Sequence, residues 1–259
     1  MSEFHLCVVC LDEGRQKEAE QFSLANQLPL FISRNSQFSL QLCYTNHRIE
    51  LFDQQLNTSI YVDFAHGALA HRQQFGGGRG QAIAKAIGLK QGKTPSVLDV
   101  TAGLARDAYV LATLGCQMTL VEKSPILSTL IKDGINRGLE NEQSAKILSQ
   151  NFDLHSQDAI NYLKNIEKIQ YPEVIYLDPM FPERKKSALV KKDMQILQRL
   201  LGKNENSEVL VESALKCAKE RVVVKRPAHA PYLTETKPSI SIHSKKTRYD
   251  IYLTASSKN

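Results

Sequence analysis

Short apolar runs alternate with helical patterns from about Gly80 onward, and this alternation limits the fold more than any other feature. "QAIAKAIGL" reads as a helix leading in. "SVLDV" is a first strand, and "RDAYVLATLG" is a helix closed by Gly115. "QMTLVE" is a second strand, followed by a helix from about Pro125 to Arg137. "NFDLHS" is a short third strand, "DAINYLKNI" a helix, and "EVIYLDP" a strongly apolar fourth strand. Helices at "DMQILQRLL" and "SEVLVESALKCAK" lead to a fifth strand, "RVVVKRP". "SISIHS" and "RYDIYLTA" form a closing antiparallel pair. This order predicts an α/β fold built on a doubly wound sheet. Ahead of it, from Phe4 to about Phe64, the segments are shorter. "HLCVVCL" reads as a strand, "RQKEAEQFSLANQL" as an amphipathic helix, and "FSLQLCYT", "RIELFD" and "SIYVDF" as strands with alternating faces. The expected division is a small N-terminal α+β region over 1–78 and a larger domain over 79–259, joined at "FGGGRG".

A hydrophobic content of 42% supports a real core and argues against disorder. No apolar stretch is long enough to cross a bilayer, and the N-terminus has no basic stretch ahead of its apolar run. A cytoplasmic protein that binds no membrane is expected. The five cysteines are scattered, so they form no disulfide framework. Cys7 and Cys10 make a CxxC, but they lie in a predicted buried strand with no second ligand pair, and no metal site is expected. The net charge of +6 permits a polyanionic partner, and basic residues cluster at Arg184, Lys185, Lys186, Lys191 and Lys192.

The loop after the first strand is the first candidate binding element. Ligands of such sheets bind at the strand C-termini. Thr101, Ala102 and Gly103 form a small-residue turn there, framed by Asp99 and Asp107. The turn lacks the second glycine that makes room for a pyrophosphate, and its carboxylates would repel one. They suit the cationic parts of S-adenosylmethionine, which is therefore favoured over a nicotinamide dinucleotide. Either acid alone could simply brace the turn. Glu122, ending the second strand, is placed to accept ribose hydroxyls. Asp158, or Gln157 beside it, can take an adenine amine, and Asp158 reads equally well as a helix N-cap.

The fourth strand runs into "DPMFPERKKSALVKK". An exocyclic amine on a base is a poor nucleophile, because its lone pair is delocalised into the ring. The Asp178 carboxylate and the Pro179 carbonyl can hold its two N–H groups and aim that lone pair. Phe181 offers a stacking face. The lysine run follows where the phosphates of a polynucleotide would pass. In "AHRQQFGGGRG", His71, Arg72 and Arg79 could meet phosphate or the cofactor carboxylate, or the glycines could serve only as a hinge.

Together "AHRQQFGGGRGQAIAKAIG", "LDVTAGLARDAYVLA", "LVEKSP" and "YLDPMFPERKKSALVKK" resemble the bacterial small-subunit ribosomal RNA guanine-N2 methyltransferase J family. The resemblance implies a seven-stranded, Rossmann-like class I methyltransferase that uses S-adenosylmethionine. It implies methylation of the exocyclic N2 of a guanine, with small-subunit ribosomal RNA or the assembled 30S particle as partner. It also implies cofactor contacts at Arg106, Asp107, Glu122, Lys123, Gln157, Asp158 and Asp178. Ala105 stands where the family pattern usually has glycine. Two rivals are a non-catalytic RNA-binding protein on the same scaffold and methylation of an adenine N6 amine. The first would have a degraded cofactor loop or a lost Asp178, and both are intact.

Overall fold

The computed structural model describes residues 6–66, 78–90, 92–181, 191–202 and 207–254. Its larger sheet has seven strands in the order β11-β12-β10-β9-β6-β7-β8. These are β6 (Val97–Asp99), β7 (Met118–Val121), β8 (Phe152–His155), β9 (Val174–Leu177), β10 (Arg221–Pro227), β11 (Ile240–His243) and β12 (Thr247–Leu253). β6 to β10 run parallel, and β12 pairs antiparallel with both β10 and β11. The central strands are buried on both faces, which is why they read as unbroken apolar runs. One face packs α2 (Ala82–Ala86), α3 (Arg106–Thr113), α4 (Pro125–Leu139) and α5 (Glu142–Asn151). The other packs α6 (Ala159–Asn165) and α8 (Ser207–Cys217). α7 (Lys192–Leu201) buries Ile196 in the first of these cores. The strand order reverses at β6, so a crevice opens above β6 and β9.

The N-terminal region forms a five-stranded sheet, order β2-β1-β3-β4-β5, with α1 (Gln16–Asn26) against it. Its strands are β1 (Leu6–Cys10), β2 (Leu30–Phe31), β3 (Leu40–Tyr44), β4 (Ile49–Asp53) and β5 (Thr58–Ile60). Leu40, Leu42, Tyr44 and Leu51 join the same hydrophobic cluster as α3 and α4. Two helical glycines make the close packing possible. A Cβ on Gly134 would lie 2.6 Å from Val62 Cγ1, and one on Gly138 would lie 2.5 Å from Leu148 Cδ1. Buried ion pairs pin the seam: Arg15 and Arg137 both bind Asp133, and Arg199 of α7 binds the fully buried Asp53 at 2.6 Å. The N-terminal sheet thus braces α7, which carries Met194, Leu197 and Leu201 over the crevice.

Two details depart from the expected pattern. α5 occupies a stretch between α4 and the third strand to which the sequence pattern assigns no element. Its inward face is short, with Ser144 and Leu148 buried and Ile147 half-buried against the core, and Asn141 caps it by accepting from the N–H groups of Gln143 and Ser144. β3 and β4 are buried on both faces rather than alternating, because Cys43 and Phe52 pack with Cys7 and Val9 in a second small core behind the sheet. Cys7 and Cys10 sit in separate clusters on opposite faces of β1, as residues three apart on a strand must. That geometry rules out a shared ion between them, and burial pushes the Cys7 thiol up to about 12. Among the described residues no helix is long and apolar enough to cross a membrane.

Candidate active site

A cavity of about 370 Å³ opens over the C-termini of β6, β7, β9 and β10. Asp99, Thr101, Ala102, Gly103, Arg106, Asp107, Glu122, Lys123, Asp158 and Asp178 all line it. The loop after β6 is held in shape by its own acids. Asp99, only 2% exposed, accepts from the Thr101 N–H at 3.0 Å. Thr101 Oγ1 in turn accepts from the backbone N–H of Asp178 at 2.6 Å, tying the loop to the end of β9. Ala105 has φ 54°, in the left-handed region that favours glycine. The loop therefore keeps the turn a glycine would make, at a local cost of about 1–2 kcal/mol.

Glu122 is buried and accepts from the N–H groups of Gly103 and Ser124, each at 2.8 Å. Burial raises its pKa, and those two N–H groups oppose the shift. Its remaining lone pairs are the natural acceptors for paired hydroxyls. The Glu122→Ala variant is expected to bind S-adenosylhomocysteine about 1–3 kcal/mol more weakly, read by calorimetry. Unchanged affinity would take Glu122 out of the binding set.

Asp99 is pushed up to about 8, first by burial and then by Asp107, Asp178 and Glu122, with the Thr101 N–H opposing. The folded chain thus retains this proton up to about pH 8, whereas the unfolded chain releases it near pH 4. A carboxyl raised on folding opposes stability increasingly as pH rises between those values, and the penalty levels off above them. Thermal unfolding of the ligand-free Asp99→Asn variant should lose that downward slope. Parallel pH profiles for wild type and variant would mean that Asp99 ionises normally.

At the end of β9, Asp178 lies beside Lys225 of β10. The register pairs Leu177 with Val224, so the next residues on each strand are neighbours. Lys225 Nζ donates to Asp178 Oδ2 and to Asp107 Oδ2, both at 2.7 Å, and the Tyr176 hydroxyl donates to Asp107 at 2.8 Å. Enclosure in the cleft and Asp107 push the Asp178 carboxyl upward, and the Lys225 ammonium opposes them. The Asp178 side chain keeps 42% of its surface open, so its desolvation is partial and the contact with Lys225 dominates. Lys225 was not legible as a site residue. The only signal was a charge at the C-terminal end of an apolar strand.

Pro179 is buried and Phe181 half-buried, with the Arg226 guanidinium 4.7 Å from the Phe181 ring centroid. Arg106 reaches across to Asp193 of α7 at 2.5 Å. Asp158 serves as N-cap of α6, accepting from the Asn161 N–H at 3.0 Å, and also lines the cavity, so its two readings coexist. Gln157 is exposed and lies outside the lining. Arg79 donates to the Lys90 carbonyl, and its charge is felt at Cys116, where β7 begins, away from the strand C-termini. Lys191 is exposed, and Lys192 Nζ turns to the Leu56 carbonyl of the N-terminal region at 3.4 Å. His71, Arg72, Pro182, Arg184, Lys185 and Lys186 lie outside the described residues.

The family described as "Putative SAM-dependent methyltransferase" matches residues 23–254. A curated ribosomal RNA small subunit methyltransferase J from Aeromonas salmonicida is 45% identical, over 94% of this chain and 96% of that one. Its namesake from Vibrio vulnificus is 42% identical, over 97% and 98%. The chain belongs to the ribosomal RNA small subunit methyltransferase J family. It is a class I, S-adenosylmethionine-dependent methyltransferase. A crystal structure of an S-adenosylmethionine-dependent methyltransferase from Neisseria gonorrhoeae superposes with a TM-score of 0.74, at 30% identity and 96% coverage of both chains. That coverage includes the N-terminal sheet as well as the seven-stranded one, so the two-sheet architecture is shared.

Proposed function

We propose that the chain methylates the exocyclic N2 amine of a guanine in small-subunit ribosomal RNA. The observation that carries this is the arrangement at Asp178: Oδ2 is occupied by Lys225, and Oδ1 has no partner among the described residues, at the edge of an acid-lined cavity. The residues fit S-adenosylmethionine. The cavity is of cofactor size, Glu122 is a hydroxyl acceptor, and Asp107 and Asp158 favour cationic groups over a diphosphate. When bound, that cofactor supplies an electrophilic methyl group on a sulfonium.

The chain's own residues do the rest. Asp178 Oδ1 and the Pro179 carbonyl accept the two N–H bonds of the target amine, which turns its lone pair toward the donor. Lys225 keeps the Asp178 side chain from rotating away, and Thr101 anchors its backbone. The methylated nitrogen must shed a proton, and the Asp178 carboxylate that already holds one of its N–H groups is the acceptor. Phe181 supports the base by stacking. Residues 79–259 act as the catalytic domain and 1–78 as the brace for α7. The lysine run through Lys191 adds phosphate contacts at the approach. The choice of guanine rests on the family likeness, and the ribosomal substrate implies a cytoplasmic site of action. Digestion of unmethylated small-subunit ribosomal RNA after incubation with enzyme and cofactor, with mass spectrometry of the nucleosides, tests this. N2-methylguanosine is expected. Methylated adenosine, or no product, would sink the assignment.

A further inference from the structure

A buried cation beside the catalytic strand has no counter-charge in direct contact among the described residues. Arg226 is 5% exposed; its Nη2 donates to the Pro231 carbonyl at 3.1 Å, and its Nε has no partner among the described residues. A desolvated guanidinium left in this state is costly unless something else completes it. Across the β10–β12 ladder it faces a second arginine, Arg248, in direct register. The two differ in one respect. Arg248 is fixed by Asp250 in a two-pronged ion pair at 2.8 and 2.9 Å, and by the Ala228 carbonyl. Each arginine also lies against an aromatic ring: Arg226 against Phe181 at 4.7 Å, and Arg248 against Tyr232 at 4.9 Å. Tyr232 is one of the few large apolar side chains on the surface, 44% exposed. Phe181, Arg226, Arg248 and Tyr232 therefore make a continuous row. It starts three residues after Asp178 and ends at an exposed ring.

Guanidinium groups flanked by aromatic rings suit a single-stranded nucleic acid. Bases stack on the rings, and the fixed cations take the backbone. We propose that this row is the docking track for the RNA strand flanking the target nucleotide, with a neighbouring base on Tyr232 and the adjoining phosphate on Arg226. The track rests on the proposed function and gives its substrate a direction, out of the cleft over β10 and β12. A purely structural Arg226, propping Phe181, would not need an exposed ring at the far end of the row.

The test is steady-state methylation of small-subunit ribosomal RNA, with wild type, Tyr232→Ala, Tyr232→Phe and Arg226→Met side by side. Tyr232→Ala should raise KM for RNA about 5–100-fold, with the effect on KM rather than kcat, and Tyr232→Phe should restore it. S-adenosylhomocysteine affinity should remain at the wild-type value in all three. For Arg226→Met, the slope of log RNA affinity against log salt should flatten by about 0.7, the loss of one single-strand phosphate contact. Its thermal midpoint should hold or rise, because an uncompensated buried charge is removed. A wild-type KM in Tyr232→Ala overturns the track. So does an unchanged salt slope with a lowered midpoint in Arg226→Met, which would make Arg226 a prop. Absence of methylation by the wild type would remove the proposed function, and the track with it.

Discussion

Methyl transfer by the Asp178→Ala variant is expected to fall by about 10²–10⁴-fold, the range for losing a group that positions and deprotonates a nucleophile. The fold should persist. The Asp178 side chain is exposed to the cleft, and its backbone N–H, which bonds Thr101, survives the substitution. Lys225 keeps Asp107 as a partner in the variant. Asp178→Asn should fall between wild type and Ala, because an amide oxygen still accepts one N–H while the amide nitrogen repels Lys225. Single-turnover methylation of the RNA substrate, with unfolding curves as the control, measures both. Near-normal turnover by folded Asp178→Ala would move the catalytic centre elsewhere in the cavity.

Lys225→Met is expected to have the second largest effect, because one ammonium serves two carboxylates. Burial works against that charge, yet Asp178 and Asp107 together raise the Lys225 pKa above its ordinary value. A lysine raised on folding stabilises the fold below its unfolded pKa, near 10.4, and loses that contribution only as pH rises beyond it. Its contribution is thus constant across neutral pH. Removing it leaves Asp107 and Asp178 facing each other, with Tyr176 donating to Asp107. Stability should drop by about 1–3 kcal/mol, toward the lower end because Asp178 is well solvated. Activity should drop at least about tenfold, as Asp178 swings free. Adding Asp107→Asn should recover part of the stability, since one of the two stranded charges is gone. Denaturant unfolding of the single and double variants reads this coupling. Strictly additive losses would mean that the three groups do not act as a unit.

Much of the site was legible along the chain, because it depends on local pattern. Apolar runs closed by an acid placed Asp99, Glu122 and Asp178 at strand ends, and parallel strands deliver their C-termini to one edge of the sheet. The turn chemistry of "DVTAG" and the Asp-Pro pair were likewise local, as was the capping role of Asp158. What lay beyond reach depended on register between segments distant in sequence. Lys225 becomes an active-site residue only because β9 and β10 align Leu177 with Val224. Arg226 meets Arg248 only because the antiparallel ladder stops where it does. The lysine run invited a path for RNA by charge alone, yet Lys192, at its end, turns toward the N-terminal region. α5 went unseen because its apolar face is small, Leu148 and Ile147, and it is held by close packing on α4 at Gly138. Period and capping are properties of a few consecutive residues, so a sequence carries them openly. Register and burial are settled by which faces the whole chain must hide from water, and that is decided only when the two sheets close on one core.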